Sequence, residues 1–195
     1  MKIDAKQIKQ LREESGLGVM DCKKALEEAD GDVDNAREVL KKRGAEIVAN
    51  KSSRIAKEGI IASYVHTGGK IGVLVEVNCE TDFVARNEVF QGLARNICLQ
   101  VVATSPAFVR VEEIPEEITA ERRKWAEDEC RDKPAEIREK IIAGKLAEFY
   151  KEKVLLNQPF VREPEKTIQD YLNEAIARLG ENISIRRFIR LELGG

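Results

Sequence analysis

Four thiols and one imidazole are the side chains here best suited to covalent or metal chemistry, and their spacing works against both. Cys22, Cys79, Cys98 and Cys130 lie far apart with no close pair, and His66 is the only histidine. Zinc sites usually draw on ligands paired at short spacing, so no structural zinc is expected. A lone histidine also removes most routes to a Ser/His or Cys/His nucleophile. The cysteines read as small core residues of a cytosolic protein. His66, late in a β-rich stretch, reads as a surface or turn residue. No catalytic residue, cofactor or metal is expected, and the chain reads as a non-enzyme.

What remains is a segment suited to binding: Glu76-Val77-Asn78-Cys79-Glu80-Thr81-Asp82-Phe83-Val84-Ala85-Arg86-Asn87. A strand runs here into a helix that Thr81 or Asp82 can cap, and Asp82 is the simpler reading. Phe83 precedes Phe90 by one heptad, which places it within about 20° of the buried stripe. Helical phase alone therefore favours a core phenylalanine over an exposed probe.

Hydrophobic periodicity supplies the elements around that junction. Asp4 with Gln7 three residues on forms a capping-box pattern, followed by Ile8 and Leu11. Gly16 and Gly18 mark a turn. Cys22, Ala25, Leu26 and Ala29 then recur at helical spacing. Gly31-Asp32 restarts the chain, and Val33, Ala36, Val39 and Leu40 form a third stripe expected to end at Gly44. The charged stretch 45–57 reads as a linker or loosely packed helix. Residues 58–66, Gly68-Gly69 and 70–79 make a hairpin signal, with Ile71, Val73, Val75, Val77 and Cys79 on one apolar face.

One helix is expected from Thr81 or Asp82 through Phe90, Leu93, Ala94, Ile97 and Val101, stopped by Pro106. The charge-rich stretch 115–153 suits a projecting helical hairpin anchored by Trp125, broken near Lys133-Pro134 and at Gly144. Residues 157–165, with Pro159 and Pro164, read as a loop. A last helix over Ile168, Leu172, Ala175, Ile176 and Leu179 closes at Gly180. A final strand then alternates Ile183, Ile185, Ile189, Leu191 and Leu193 with polar partners, and Arg187 breaks the phase.

The 195 residues carry 33 Lys+Arg against 35 Asp+Glu, a formal net charge of -2. That balance disfavours a nucleic-acid binder, including a helix-turn-helix use of the first helices, and a polybasic membrane anchor. The polar Met1–Gln10 stretch is no secretory signal, and no apolar run approaches bilayer length.

The junction segment closely resembles the signature of the elongation factor Ts family. Two further stretches agree: Leu11-Arg12-Glu13-Glu14-Ser15-Gly16-Leu17-Gly18-Val19-Met20-Asp21-Cys22-Lys23-Lys24-Ala25-Leu26, and Gly180-Glu181-Asn182-Ile183 running into Arg186-Arg187-Phe188. Three matches in order across nearly the whole chain make coincidence untenable. The resemblance implies that Thr81, Asp82, Phe83 and Val84 enter the nucleotide-binding domain of elongation factor Tu. There the ring would wedge between partner side chains and dislocate Mg²⁺ and the phosphate sites. It implies that Arg12, Val19 and Met20 touch the same domain. Family members often carry methionine where Val19 stands and threonine where Ser15 stands.

Pattern and resemblance together imply an α+β fold. A ubiquitin-associated-like three-helix partner-binding module (1–45) and a charged linker (46–57) precede a core (58–195) of small antiparallel sheet with flanking helices and the helical hairpin. The implied job is guanine nucleotide exchange on elongation factor Tu in the cytoplasm, with no direct nucleic acid and no membrane. A small sheet with exposed edges suggests a homodimer through the core. The rival of another class is an adaptor that binds without exchanging.

Overall fold

Three amphipathic helices open the chain in the computed structural model, which describes residues 3–194. Helix α1 (Ala5–Ser15) begins with the capping box of Asp4 and Gln7, and Gly16 closes it by donating its amide to the Arg12 carbonyl at 2.9 Å. Helices α2 (Val19–Glu28) and α3 (Val33–Lys51) follow, the latter capped by Asp32. Leu11, Leu17, Cys22, Ala25, Leu26, Ala36 and Leu40 form their shared core.

The third helix does not end at Gly44. It runs on to Lys51, because Gly44 keeps ordinary helical backbone and Ile47 continues the buried stripe. A Cβ at Gly44 would sit 3.7 Å from that of Ala177, which also packs on this core.

The chain divides into two compact units. One comprises Met1–Ile61, Glu76–Ala94 and Asp170–Ile185; the other comprises Ala62–Val75, Arg95–Gln169 and Arg186–Gly195. Strands β1 (Glu58–Val65), β2 (Ile71–Cys79) and, near the end of the chain, β5 (Ser184–Glu192) form a small antiparallel sheet in the order β1-β2-β5. The expected turn is present: Gly68 and Gly69 both have positive φ, and the His66 amide meets the Ile71 carbonyl at 2.8 Å. Gly59 is required for another reason. A Cβ there would lie 2.1 Å from the Val77 carbonyl oxygen, closer than any side chain tolerates.

The expected long helix after β2 is two helices, α4 (Asp82–Ala85) and α5 (Glu88–Thr104). In the second unit, α6 (Glu116–Glu129) and α7 (Ala135–Lys153) pack on each other as the anticipated hairpin, separated near Pro134. No break occurs at Gly144, which α7 passes through. The hairpin core is Ala126, Cys130 and Ile142 rather than Trp125. These residues face inward at helical spacing, whereas Trp125 is half exposed with the Lys145 ammonium 4.5 Å from its ring centre.

The stretch read as a loop at 157–165 contains a second ladder. Strands β3 (Pro159–Phe160) and β4 (Glu163–Thr167) pair antiparallel, Pro159 opposite Thr167 and Phe160 opposite Glu163. Buried amides make this possible. Gln100 Nε2 donates to Gln158 Oε1 at 3.2 Å and to the Pro159 carbonyl at 3.1 Å, and its Oε1 accepts from the Val161 amide at 2.9 Å. Fully satisfied buried polar side chains of this kind fix a backbone path that propensity does not reveal. Helix α8 (Ile168–Leu179) ends at Gly180 as anticipated. In β5, Ile185 is buried, but Ile189 and Leu191 beyond Arg187 are exposed, as is Leu193 just after the strand.

Candidate functional site

The junction after β2 is built by a cap and a restart. Thr81, with extended backbone (φ -129, ψ 156), caps α4 by accepting the Val84 amide on its hydroxyl at 3.4 Å. Asp82 is therefore not the cap. It sits in the first turn and pairs with Arg86 at 2.9 Å. One turn later the helix stops, and Asn87 Oδ1 accepts the Val89 amide at 2.8 Å beside the start of α5.

That restart resets the helical phase and undoes the heptad argument for Phe83. Phe90 is fully buried, whereas Phe83 is 80% exposed. The core reading of this ring is excluded. Ala85 is buried and Val84 half-buried, so the short helix is seated on its opposite side. Keeping a phenylalanine ring in water forgoes about 2 kcal/mol of burial, a cost that folding alone does not explain.

A second exposed apolar group flanks the turn between α1 and α2. Helix α2 starts at Val19 after Gly18, which has no side chain to cap it. Val19 and Met20 project from this first turn, and Met20 is 62% exposed. Arg12 lies exposed in the last turn of α1. Arg37 ties α3 to α1 by donating to Glu14 at 2.9 Å, which holds the Glu14 carboxyl below its ordinary value. Thr81 to Val84 and Arg12, Val19 and Met20 thus occupy different elements of one compact unit.

The thiols are enclosed. All four are buried and none is disulfide-bonded. Burial, reinforced by the nearby Glu181 carboxylate, pushes Cys79 up to about 11, and burial pushes Cys98 up to about 11. Both of these stay protonated at neutral pH. His66 is exposed beside Tyr64, their ring centres 6.1 Å apart. Among the described residues, no group of three or more His, Cys, Asp or Glu is placed to hold a metal, and no helix is long and apolar enough to cross a membrane.

One contributor was invisible in the sequence. Glu181, just past the end of α8, reaches the junction: its Oε2 accepts the Glu80 and Thr81 amides at 3.1 and 3.0 Å, and its Oε1 accepts the Thr81 hydroxyl at 2.6 Å. The partners lie about a hundred residues apart, so no local spacing could signal the contact.

Comparison with known proteins identifies the family. The family model described as Elongation factor TS matches residues 6–195. Elongation factor Ts of Anaeromyxobacter dehalogenans is 54% identical over 195 residues, covering 99% of this chain and 89% of the relative. That of Coprothermobacter proteolyticus is 53% identical over 198 residues, covering 100% of both chains. That of Carboxydothermus hydrogenoformans is 48% identical, covering 98% of this chain and 89% of the relative. The chain belongs to the elongation factor Ts family of translation elongation factors.

Proposed function

We propose that this chain is a guanine nucleotide exchange factor: it binds elongation factor Tu carrying GDP and promotes release of GDP and Mg²⁺, so that GTP can bind. The observation that carries the reading is the Phe83 ring, exposed at the tip of a capped one-turn helix. In this reading Thr81, Asp82, Phe83 and Val84 enter the partner and disturb its Mg²⁺ and phosphate sites. Arg12, Val19 and Met20, on the three-helix module of α1, α2 and α3, grip the same partner. The work takes place in the cytoplasm and requires neither nucleic acid nor a membrane.

The mechanism needs binding energy but no covalent step. A P-loop GTPase holds GDP through backbone amides around the phosphates and through Mg²⁺. A factor that prefers the nucleotide-free shape weakens nucleotide binding by the same ratio as nucleotide weakens the factor. A coupling of about 4 kcal/mol corresponds to roughly a thousandfold change in affinity. Burying one phenyl ring supplies about 2–3 kcal/mol toward it. GTP then replaces GDP by mass action. The factor itself is not an enzyme in this scheme.

The test is release of a fluorescent GDP analogue from elongation factor Tu, with unlabelled nucleotide in excess. Stimulation that rises with factor concentration and saturates is expected. Stable complex formation without faster release would reject exchange and leave an adaptor.

The same reading includes a homodimer. Val65, Leu74, Ile189, Leu191 and Leu193 lie on or beside the neighbouring strands β1, β2 and β5, and all five are exposed. A second copy is the simplest cover for such a sheet face, since exposed apolar strands otherwise invite aggregation. Light scattering is expected to give twice the 22.0 kDa chain mass at micromolar concentration. Leu191→Lys should shift the species toward monomer. A wild-type monomer at that concentration rejects the dimer.

A further inference from the structure

A helix of four residues cannot hold its own shape, because isolated helices shorter than about 12 residues are marginal in water. The orientation of α4, and with it that of the Phe83 ring, must therefore be imposed from outside the helix. The bonds that could impose it form a crossed pair. Glu181 accepts both amides of Glu80 and Thr81, while the Glu80 carboxylate accepts the Asn182 amide at 2.7 Å. Two consecutive residues before α4 are thus laced to two consecutive residues after α8.

The lacing extends to the segment after α3. Asn182 Nδ2 donates to the Arg54 carbonyl at 2.6 Å, and Arg54 Nη1 reaches Glu80 Oε2 at 3.4 Å. The Asn182 amide, helped by Arg54, keeps the Glu80 carboxyl below its ordinary value, so it stays an acceptor at neutral pH. The decisive link is the Thr81 hydroxyl. It has one proton, which goes to Glu181 Oε1 at 2.6 Å, and this turns a lone pair toward the Val84 amide in the first turn of α4. Glu181 therefore orients the cap as well as the backbone leading into it.

We propose that Glu181 is the positioning residue for Phe83, holding the Thr81 cap and the one-turn helix so that the ring is presented to the GTPase already ordered. The proposal rests on the exchange reading above and adds a residue 98 positions from the ring to it. Its physical content is preorganisation: a loop fixed beforehand loses less freedom on docking than one fixed by the partner.

The experiment uses the full chain and stimulated release of a fluorescent GDP analogue from elongation factor Tu. Glu181→Ala should lower the stimulated rate about five- to tenfold, as expected when a charge-assisted cluster around a presenting turn is lost. Glu181→Gln, which keeps the length but only one of the two acceptor oxygens, should recover only part of the rate. The double variant Phe83→Ala/Glu181→Ala should lose clearly less than the two single losses combined, because a residue acting mainly through the ring has little left to position. Thr81→Val against Thr81→Ser repeats the test with the carboxylate intact, and the serine should be much the faster.

If Phe83→Ala slows release but Glu181→Ala does not, the positioning role is overturned and exchange stands. If neither variant slows the stimulated release, the Phe83 wedge and the positioning role both fail; if the unaltered chain does not stimulate release, the exchange reading itself fails. Additive losses in the double variant, or loss of thermal stability shared by Glu181→Ala and Glu181→Gln, would mean a merely structural carboxylate and would also overturn the role.

Discussion

Phe83→Ala is expected to lower stimulated GDP release at least tenfold, equivalent to about 1.4 kcal/mol or more of lost coupling. The same change should leave thermal stability nearly untouched. Substitutions at exposed positions usually fall within about 0.5 kcal/mol, and the ring is 80% exposed, so truncation opens no cavity. A buried phenylalanine behaves otherwise, costing about 3–5 kcal/mol on truncation to alanine. Release kinetics and a melting curve on one preparation therefore separate a binding tool from a packing residue. Phe83→Leu should fall between the two proteins, since it keeps apolar bulk without the flat ring. A lowered melting temperature with unchanged release would contradict the account.

Met20→Asp carries the second large expected effect, and its signature differs. Met20 is 62% exposed on the first turn of α2, so an aspartate there should not disturb the module core. A carboxylate forced into an apolar contact loses burial and gains desolvation. Half-saturation in the release assay should move to at least tenfold higher factor concentration, with the maximal rate kept within about twofold. Grip that is equal before and during nucleotide loss changes affinity and not the maximum, whereas the wedge changes the maximum. Point substitution is preferable to deleting the module. Ala177 of α8 packs on the core of α1–α3, so deletion would also strip α8. An unchanged half-saturation point would remove Met20 from the interface.

Local signals explain why much of the fold was legible. The capping box at Asp4 and Gln7, the Gly68-Gly69 turn, the alternation along β2 and the stripe of α8 each depend on neighbours in sequence, and each is present. The misreadings have tertiary or single-bond causes. The α4–α5 break at Arg86 and Asn87 lies in a stretch whose apolar spacing looks continuous, and one Asn87 side-chain bond marks it. That break alone turned a plausible core phenylalanine into an exposed one. Helix α3 passes Gly44 because its later residues find packing that a glycine signal cannot foresee. The β3–β4 ladder depends on Gln100 and Gln158, about sixty residues apart. Of the candidate site residues, the family signature pointed to Phe83 where helical phase pointed away. Glu181 lies in the Gly180-Glu181-Asn182-Ile183 stretch, and only folding brings it to Thr81.

The central claim is that occupancy by this chain and occupancy by GDP oppose each other on one GTPase, with the Phe83 ring as the means. Calorimetric titration into nucleotide-free and GDP-loaded elongation factor Tu measures that opposition directly. The account predicts tighter binding to the empty form by a factor on the order of a thousand, shrinking at least tenfold for Phe83→Ala. Equal affinity for the two forms, or a preference unchanged when the ring is removed, would contradict it.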